Sequence, residues 1–125
     1  MNAKATDYAR VYEAYKTICE TKDDIAELNI TKESFCNPEG TAQKVIAEGI
    51  ENRLFRITEE LGSISDDVAA EYGFPTRAAK GVRNRLAHLY GDIDREILWD
   101  VIERDFTAVI QASEKYCDDN GLELA

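Results

Sequence analysis

Residues 37–62 read NPEGTAQKVIAEGIENRLFRITEELG, and the spacing of their apolar side chains decides the fold class. Val45, Ile46, Ile50, Leu54, Ile57 and Leu61 recur at intervals of three and four. That is the stripe of an amphipathic α-helix, not the alternation of a strand. The opening residues predict where the helix starts. Asn37 offers a capping side chain, Pro38 suits the first helical position, and Glu39 places an acid in the first turn. Gly62 reads as the terminator. Gly40 and Gly49 fall inside, each costing ~1 kcal/mol relative to alanine. Gly49 reads as a point of close helix packing.

The same period extends in both directions. Tyr8, Val11, Tyr12, Tyr15, Ile18, Cys19, Ile25 and Leu28 predict a helix over about 6–28, with Thr6 or Asp7 as its cap. Residues 29–37 read as a connection from which Phe35 tucks into the core. A short helical turn is expected over 65–72, and Gly73-Phe74-Pro75 then breaks the chain. Thr76 is expected to cap the next helix, which runs to about Tyr90 with Gly91 as a left-handed end. Asp92 or Asp94 caps the last helix, with Glu96 in its first turn. Its inward stripe is Leu98, Val101, Ile102, Asp105/Phe106, Val109 and Ile110, continuing to Tyr116 and Cys117. No strand pattern, repeat or low-complexity tract interrupts this order. The expectation is one all-α domain over residues 1–125, an antiparallel bundle of four main helices with a short extra one.

Composition narrows the function. A chain of 125 residues, 44% hydrophobic and 32% charged, is long enough to bury roughly two-thirds of its unfolded surface. No apolar run approaches the ~18–20 residues that span a bilayer. The opening MNAKATDYAR lacks the apolar stretch of a secretory signal, so a cytoplasmic location is expected. Cys19, Cys36 and Cys117 are odd in number and far apart. They suit reduced thiols buried as small hydrophobes, not a disulfide framework or a zinc site.

Net charge is −10, which argues against a protein that coats nucleic acid. Its distribution is uneven. From Tyr72 to Gly91 there is no Asp or Glu, but there are Arg77, Lys80, Arg83 and Arg85, a charge of +4 against −14 elsewhere. An acidic body with one basic island suits a discrete anion site or a dock for an acidic partner. A basic helix face that merely offsets the remainder fits equally.

That island contains GVRNRLAHLYGDID, residues 81–94, with the one histidine of the chain. Asn84 and His88, four apart, share a helix face. Arg83 and His88 stand roughly 140° apart around a regular helix, so they converge only if the helix loosens near Gly91 or the arginine reaches across. Histidine exchanges protons near neutral pH. An arginine fork holds two phosphate oxygens and stabilises charge developing on them. Together they suit RNA cleavage by the ribose 2′-hydroxyl, which needs no metal. One histidine supplies only half of the acid–base pair, and a symmetric dimer would supply the other. On spacing alone, a capping or salt-bridging pair accounts for the same residues.

RNRLAHLYGDID followed by REILWDVIERDF resembles the HEPN superfamily, specifically the HepT-like toxins. Their R-x-x-x-x-H-x-Y hallmark, usually with asparagine after the arginine, is matched by Arg83, Asn84, His88 and Tyr90. The stretch from Asp94 to Trp99 resembles the family's acid-then-tryptophan helix start. RITEELGSIS aligns Glu59 with the family's glutamate, although Thr58 stands where glycine is usual. YGFPTRAAKGVRN has Thr76 where the family has tryptophan. The similarity is good from about Leu54 to Phe106 and holds for the first helix by pattern.

The resemblance implies a dimeric HEPN bundle whose two motifs face one cleft, and a metal-independent endoribonuclease acting as the toxin of a toxin–antitoxin pair. It implies no cofactor. The implied partner is an MNT-type nucleotidyltransferase antitoxin that silences the toxin by moving AMP onto Tyr90. Arg83 would then stabilise phosphate, His88 act as general base or acid, and Asn84 position the motif or the substrate. Tyr90 would be the modified residue and a substrate contact. Glu59 would orient Arg83 or His88, or is a plain surface glutamate. Arg77, Lys80 and Arg85 read as general electrostatic support, and Trp99 and Tyr116 as core or dimer-interface residues. Two other functions fit: a non-catalytic helical partner of a nucleotidyltransferase, and a groove that takes ATP or AMP.

Overall fold

The computed structural model describes residues 3–88 and 94–124, the side chains of residues 3–5, 87 and 88 lying outside the description. The elements are α1 (Ala3–Glu27), α2 (Lys32–Cys36), α3 (Gly40–Gly62), α4 (Asp66–Tyr72), α5 (Thr76–His88), α6 (Arg95–Asp100) and α7 (Phe106–Asn120). A π-helical turn, Val101–Asp105, joins the last two without a break in helical backbone. No strand occurs among the described residues. The all-α bundle is as expected, with α1, α3, α5 and the α6–α7 rod as its main members.

Packing centres on α3, which lies against both α1 and α5, while α1 also meets α7. Val11, Ala14 and Ile18 of α1 are sealed against Leu54, Ile57 and Leu61 of α3 and Phe106 and Val109 of α7. Each large apolar side chain so buried stabilises the fold by about 1.5–3 kcal/mol. Ile50, Leu54, Ile57 and Leu61 keep their predicted places in the core, but Val45 is 61% exposed. No helix among the described residues is long and apolar enough to cross a membrane.

Several local expectations change. Helix α1 begins at Ala3, ahead of both Thr6 and Asp7. The buried Asp7 carboxylate instead accepts hydrogen bonds from the Ser65 backbone N–H (2.9 Å) and Oγ (2.7 Å) at the start of α4. A helix start carries free N–H groups and partial positive charge, so the carboxylate is better satisfied there. Asn37 closes α2 rather than opening α3, its N–H bonding to the Glu33 carbonyl at 2.8 Å. Helix α3 starts three residues later, at Gly40 with φ +76°, a left-handed geometry that glycine adopts without strain. Gln43 Oε1 accepts from the Glu39 N–H just ahead of it.

Gly49 is not a packing point, since a Cβ there would meet nothing within 4 Å. The close approach is at Gly62, where a Cβ would lie 3.1 Å from Lys80 Cγ. Helix α3 ends at Gly62 as expected, though through right-handed Ser63 and not a left-handed cap. Thr76 does not cap α5: its hydroxyl is buried without a hydrogen-bond partner among the described residues, and the Pro75 carbonyl takes the Ala79 N–H. Asp94 does cap α6, accepting from the Glu96 N–H at 3.0 Å. Gly91 and Asp92 lie outside the described residues.

The π turn adds a residue to the last helix. Trp99 before it and Phe106 after it are both buried, while Val101 and Ile102 are only half-buried. Trp99 Nε1 donates to Glu103 Oε1 at 2.7 Å inside the turn. Burial pushes the Asp105 carboxyl up, against the neighbouring Arg104 guanidinium, which lowers it. All three cysteines are free, Cys117 buried and the others half-buried. Burial is the main cause that raises the Cys36 and Cys117 thiols, which keeps them less reactive.

Candidate active site

Helix α5 turns Ala79, Val82 and Leu86 toward the bundle, at the three-and-four spacing that defines one helix face. Arg83 and Asn84 follow at the edge of that face, the first half-buried and the second exposed. Opposite them, the last turns of α3 present Thr58, Glu59 and Gly62, and Ser63 follows as the cap. With Lys80, Arg83 and Asn84 these line one cavity of about 340 Å³.

The wall hydroxyls are committed to helix carbonyls. Thr58 Oγ1 donates to the Phe55 carbonyl (3.0 Å) and Ser63 Oγ to that of Glu59 (2.9 Å). The charged groups are not committed. Among the described residues, Glu59, Lys80 and Arg83 take no part in an ion pair. Arg83 lays its guanidinium 5.9 Å from the Phe55 ring centroid, within cation–π reach. Its Nε is buried with no hydrogen-bond partner among the described residues. Such a donor costs about 1–3 kcal/mol, and a cost of this kind in a native structure calls for a functional account. Chemically, the cavity offers an arginine fork, an ammonium, an amide and one carboxylate.

Of the residues singled out from sequence, Arg83, Asn84 and Glu59 are brought together in this cavity. His88 is the last described residue of α5, one turn beyond Asn84. Its side chain and Tyr90 lie outside the described residues, as does the loosening considered near Gly91. Arg77 and Arg85 are exposed on α5 away from the cavity lining. Trp99 and Tyr116 are core residues. Sequence reasoning missed Phe55 as the platform for Arg83 and Lys80 as a wall of the cavity. An aromatic set beside the predicted α3 stripe was the signal for Phe55.

Two larger concavities differ in character. One, about 620 Å³, is lined by Cys36, Asn37, Glu48, Glu51, Asp94, Arg95 and Glu96. Its cation, Arg95, is already bound to the Glu51 carboxylate and, at 3.2 Å, to the Phe35 carbonyl. It is therefore ill suited to phosphate. The other, about 510 Å³, is a shallow trough along the outer face of α3, lined by Val45, Glu48, Gly49, Glu51, Asn52, Phe55 and Leu86.

Comparison with protein families gives a match over residues 3–116 to a family model described as ribonuclease HepT-like. The matched stretch runs from the first residue of α1 to Tyr116 in α7. Comparison with curated proteins and with solved structures gives no match.

Proposed function

This chain belongs to the HepT-like ribonuclease family, and on that premise we propose that it is a metal-independent endoribonuclease, the toxin of a toxin–antitoxin pair. The observation that carries this reading is Arg83: un-neutralised among the described residues, half-buried, set over Phe55, and sharing a cavity with Asn84 and Glu59. A guanidinium so held is preorganised for charge that develops on phosphate oxygens.

In the reaction, the ribose 2′-oxygen attacks the adjacent phosphorus and gives its proton to one His88. The new O–P bond closes a 2′,3′-cyclic phosphate. The bond from phosphorus to the 5′-oxygen breaks, and that oxygen takes a proton from a second, protonated His88. Arg83 holds the charge that builds on the phosphate between these events, and Asn84 positions the strand. Glu59 lines the same cavity without an ion pair to the arginine among the described residues.

The second His88 belongs to a second copy of the chain, facing the first across a two-fold axis. The trough of α3 supports this dimer. Val45 lies exposed in it, a Cβ at Gly49 would meet nothing, and the trough reaches Phe55, the platform of Arg83.

Silencing follows from Tyr90. An MNT-type nucleotidyltransferase partner would join the Tyr90 phenol oxygen to the α-phosphorus of ATP, releasing pyrophosphate. The resulting phosphodiester brings negative charge to the motif that holds Arg83, competing with RNA phosphate. Intact-mass measurement of the chain co-expressed with such a partner is expected to show added AMP units, and Tyr90→Phe to show none.

The first test of the activity is in bacteria. Expression of the wild type is expected to stop growth and fragment cellular RNA, while His88→Ala does neither. A folded, unmodified wild type that leaves growth and RNA intact overturns the ribonuclease reading. A second reading, a non-catalytic helical partner of a nucleotidyltransferase, draws on the unpaired Glu59 carboxylate, which repels phosphate in the same cavity. Stable complex formation without RNA cleavage, unchanged by His88→Ala, would favour it.

A further inference from the structure

We propose that Lys80 is a substrate-binding residue of this cavity, holding the RNA phosphate that flanks the one engaged by Arg83, with Gly62 as the residue that lets it do so. The inference rests on the ribonuclease reading and deepens it by naming how the strand is held.

Charge within the cavity is the first argument. Its ionised lining groups are Glu59, Lys80 and Arg83. Without Lys80 the carboxylate and the guanidinium cancel, and a polyanion gains nothing by approaching. With Lys80 the lining is net positive, in a chain whose total is −10. Lys80 is also uncommitted. The described ion pairs use Arg10, Arg53, Arg95 and Lys115. In a chain of 25 acids, this ammonium has no carboxylate partner among the described residues and is available to a ligand.

Placement is the second argument. The Lys80 stem lies against the end of α3 at Gly62, where any Cβ would come within 3.1 Å of Lys80 Cγ. A side chain at position 62 would therefore make the stem give way by a few tenths of an ångström. On α5, Lys80 stands one turn before Arg83 and Asn84. Its separation from Arg83, about 4.5 Å along the axis, leaves two long side-chain stems free to spread to the spacing of neighbouring phosphates. The residue type is suitable as well. A flanking phosphate undergoes no change in geometry, so a point charge on a flexible stem serves where the reacting phosphate needs a planar fork. Position 80 lies in the acid-free window, but only its approach to Gly62 and its place in the cavity lining distinguish it from Arg77 and Arg85.

The test uses the full chain and a fluorescein-labelled single-stranded RNA. Lys80→Ala, Lys80→Arg, Gly62→Ala and the charge-matched Lys22→Ala, on the exposed face of α1, are compared in steady-state cleavage. Binding is read by anisotropy across salt concentrations in a His88→Ala background. Lys80→Ala is expected to raise KM about tenfold with little change in kcat, the mark of lost uniform binding. The slope of log affinity against log salt should become shallower by about 0.7. Lys80→Arg should restore both, Gly62→Ala should shift both more weakly in the same direction, and Lys22→Ala should shift neither.

If the wild type cleaves RNA and Lys80→Ala matches it in KM and salt slope, this inference is overturned and the ribonuclease reading stands. The inference is overturned equally if Lys22→Ala shifts both as far as Lys80→Ala. If the wild type binds RNA without cleaving it, the ribonuclease reading falls, and the salt slope alone decides on Lys80. If it does neither, both fall.

Discussion

Replacing Arg83 by alanine is expected to slow RNA cleavage by about 10²–10³-fold, the loss typical of one preorganised transition-state donor, while leaving the fold as stable as before or more so. The two halves of that expectation come from one observation. Arg83 gains about 0.5–1 kcal/mol from lying over Phe55. Against this stands a buried Nε with no partner among the described residues, a penalty of about 1–3 kcal/mol. Truncation removes both. A residue whose loss removes activity while sparing the fold is one held for its chemistry. Arg83→Lys should rescue poorly, because an ammonium cannot reproduce the two-pronged contact. Single-turnover cleavage and urea unfolding of the same preparations check both halves. Unimpaired cleavage, or a stability loss of several kcal/mol, would contradict the assignment.

The second large effect concerns stability. Phe35→Ala is expected to cost about 3–5 kcal/mol, a large part of the roughly 5–15 kcal/mol that holds a typical domain. Phe35 is 1% exposed, packs against the Trp99 ring at 5.7 Å between centroids, and lies 5.6 Å from the Arg95 guanidinium. Arg95 in turn bonds to the Phe35 carbonyl and the Glu51 carboxylate. One aromatic side chain thus ties α2 to the start of α6, soon after the stretch that carries Tyr90. Chemical denaturation should show the loss as a lower midpoint with little change in slope. An effect below about 1 kcal/mol would mean that this contact is not a pillar of the bundle.

Much of the fold was legible because burial in a helical bundle writes a period into the sequence. Ile50, Leu54, Ile57 and Leu61 lie where the stripe of α3 places them, and the Asp94 side chain caps α6 as its position suggests. Legibility ended where a feature depends on two elements at once. Helix α2 is only five residues long and opens on a reciprocal Thr31–Ser34 capping box. Serine stands where a glutamate or glutamine usually advertises that motif. Asn37 and Pro38 have the residue types of a helix start, but Asn37 ends the short helix before them, which has no period of its own to reveal it. Asp7 suits a local cap by its position, yet its partner is Ser65, across the bundle.

The site shows the same division. Arg83 and Asn84 stand in one local motif, and the alignment of RITEELGSIS brought in Glu59, which lines their cavity. Lys80 had no such pointer, since what distinguishes it is the closeness of Gly62 on another helix. Val45 belongs to the apolar period but not to the core. It lies in the trough along the outer face of α3, the face proposed for a second copy of the chain.

The most direct test of the central claim is the chemistry of the cut ends when purified, unmodified protein meets RNA in the presence of a chelator. The expected result is fragments ending in 2′,3′-cyclic phosphate, absent with Arg83→Ala and His88→Ala and absent from a substrate lacking the 2′-hydroxyl at the cut site. No cleavage under these conditions, cleavage only with added divalent metal, or identical cleavage by the two variants would contradict it.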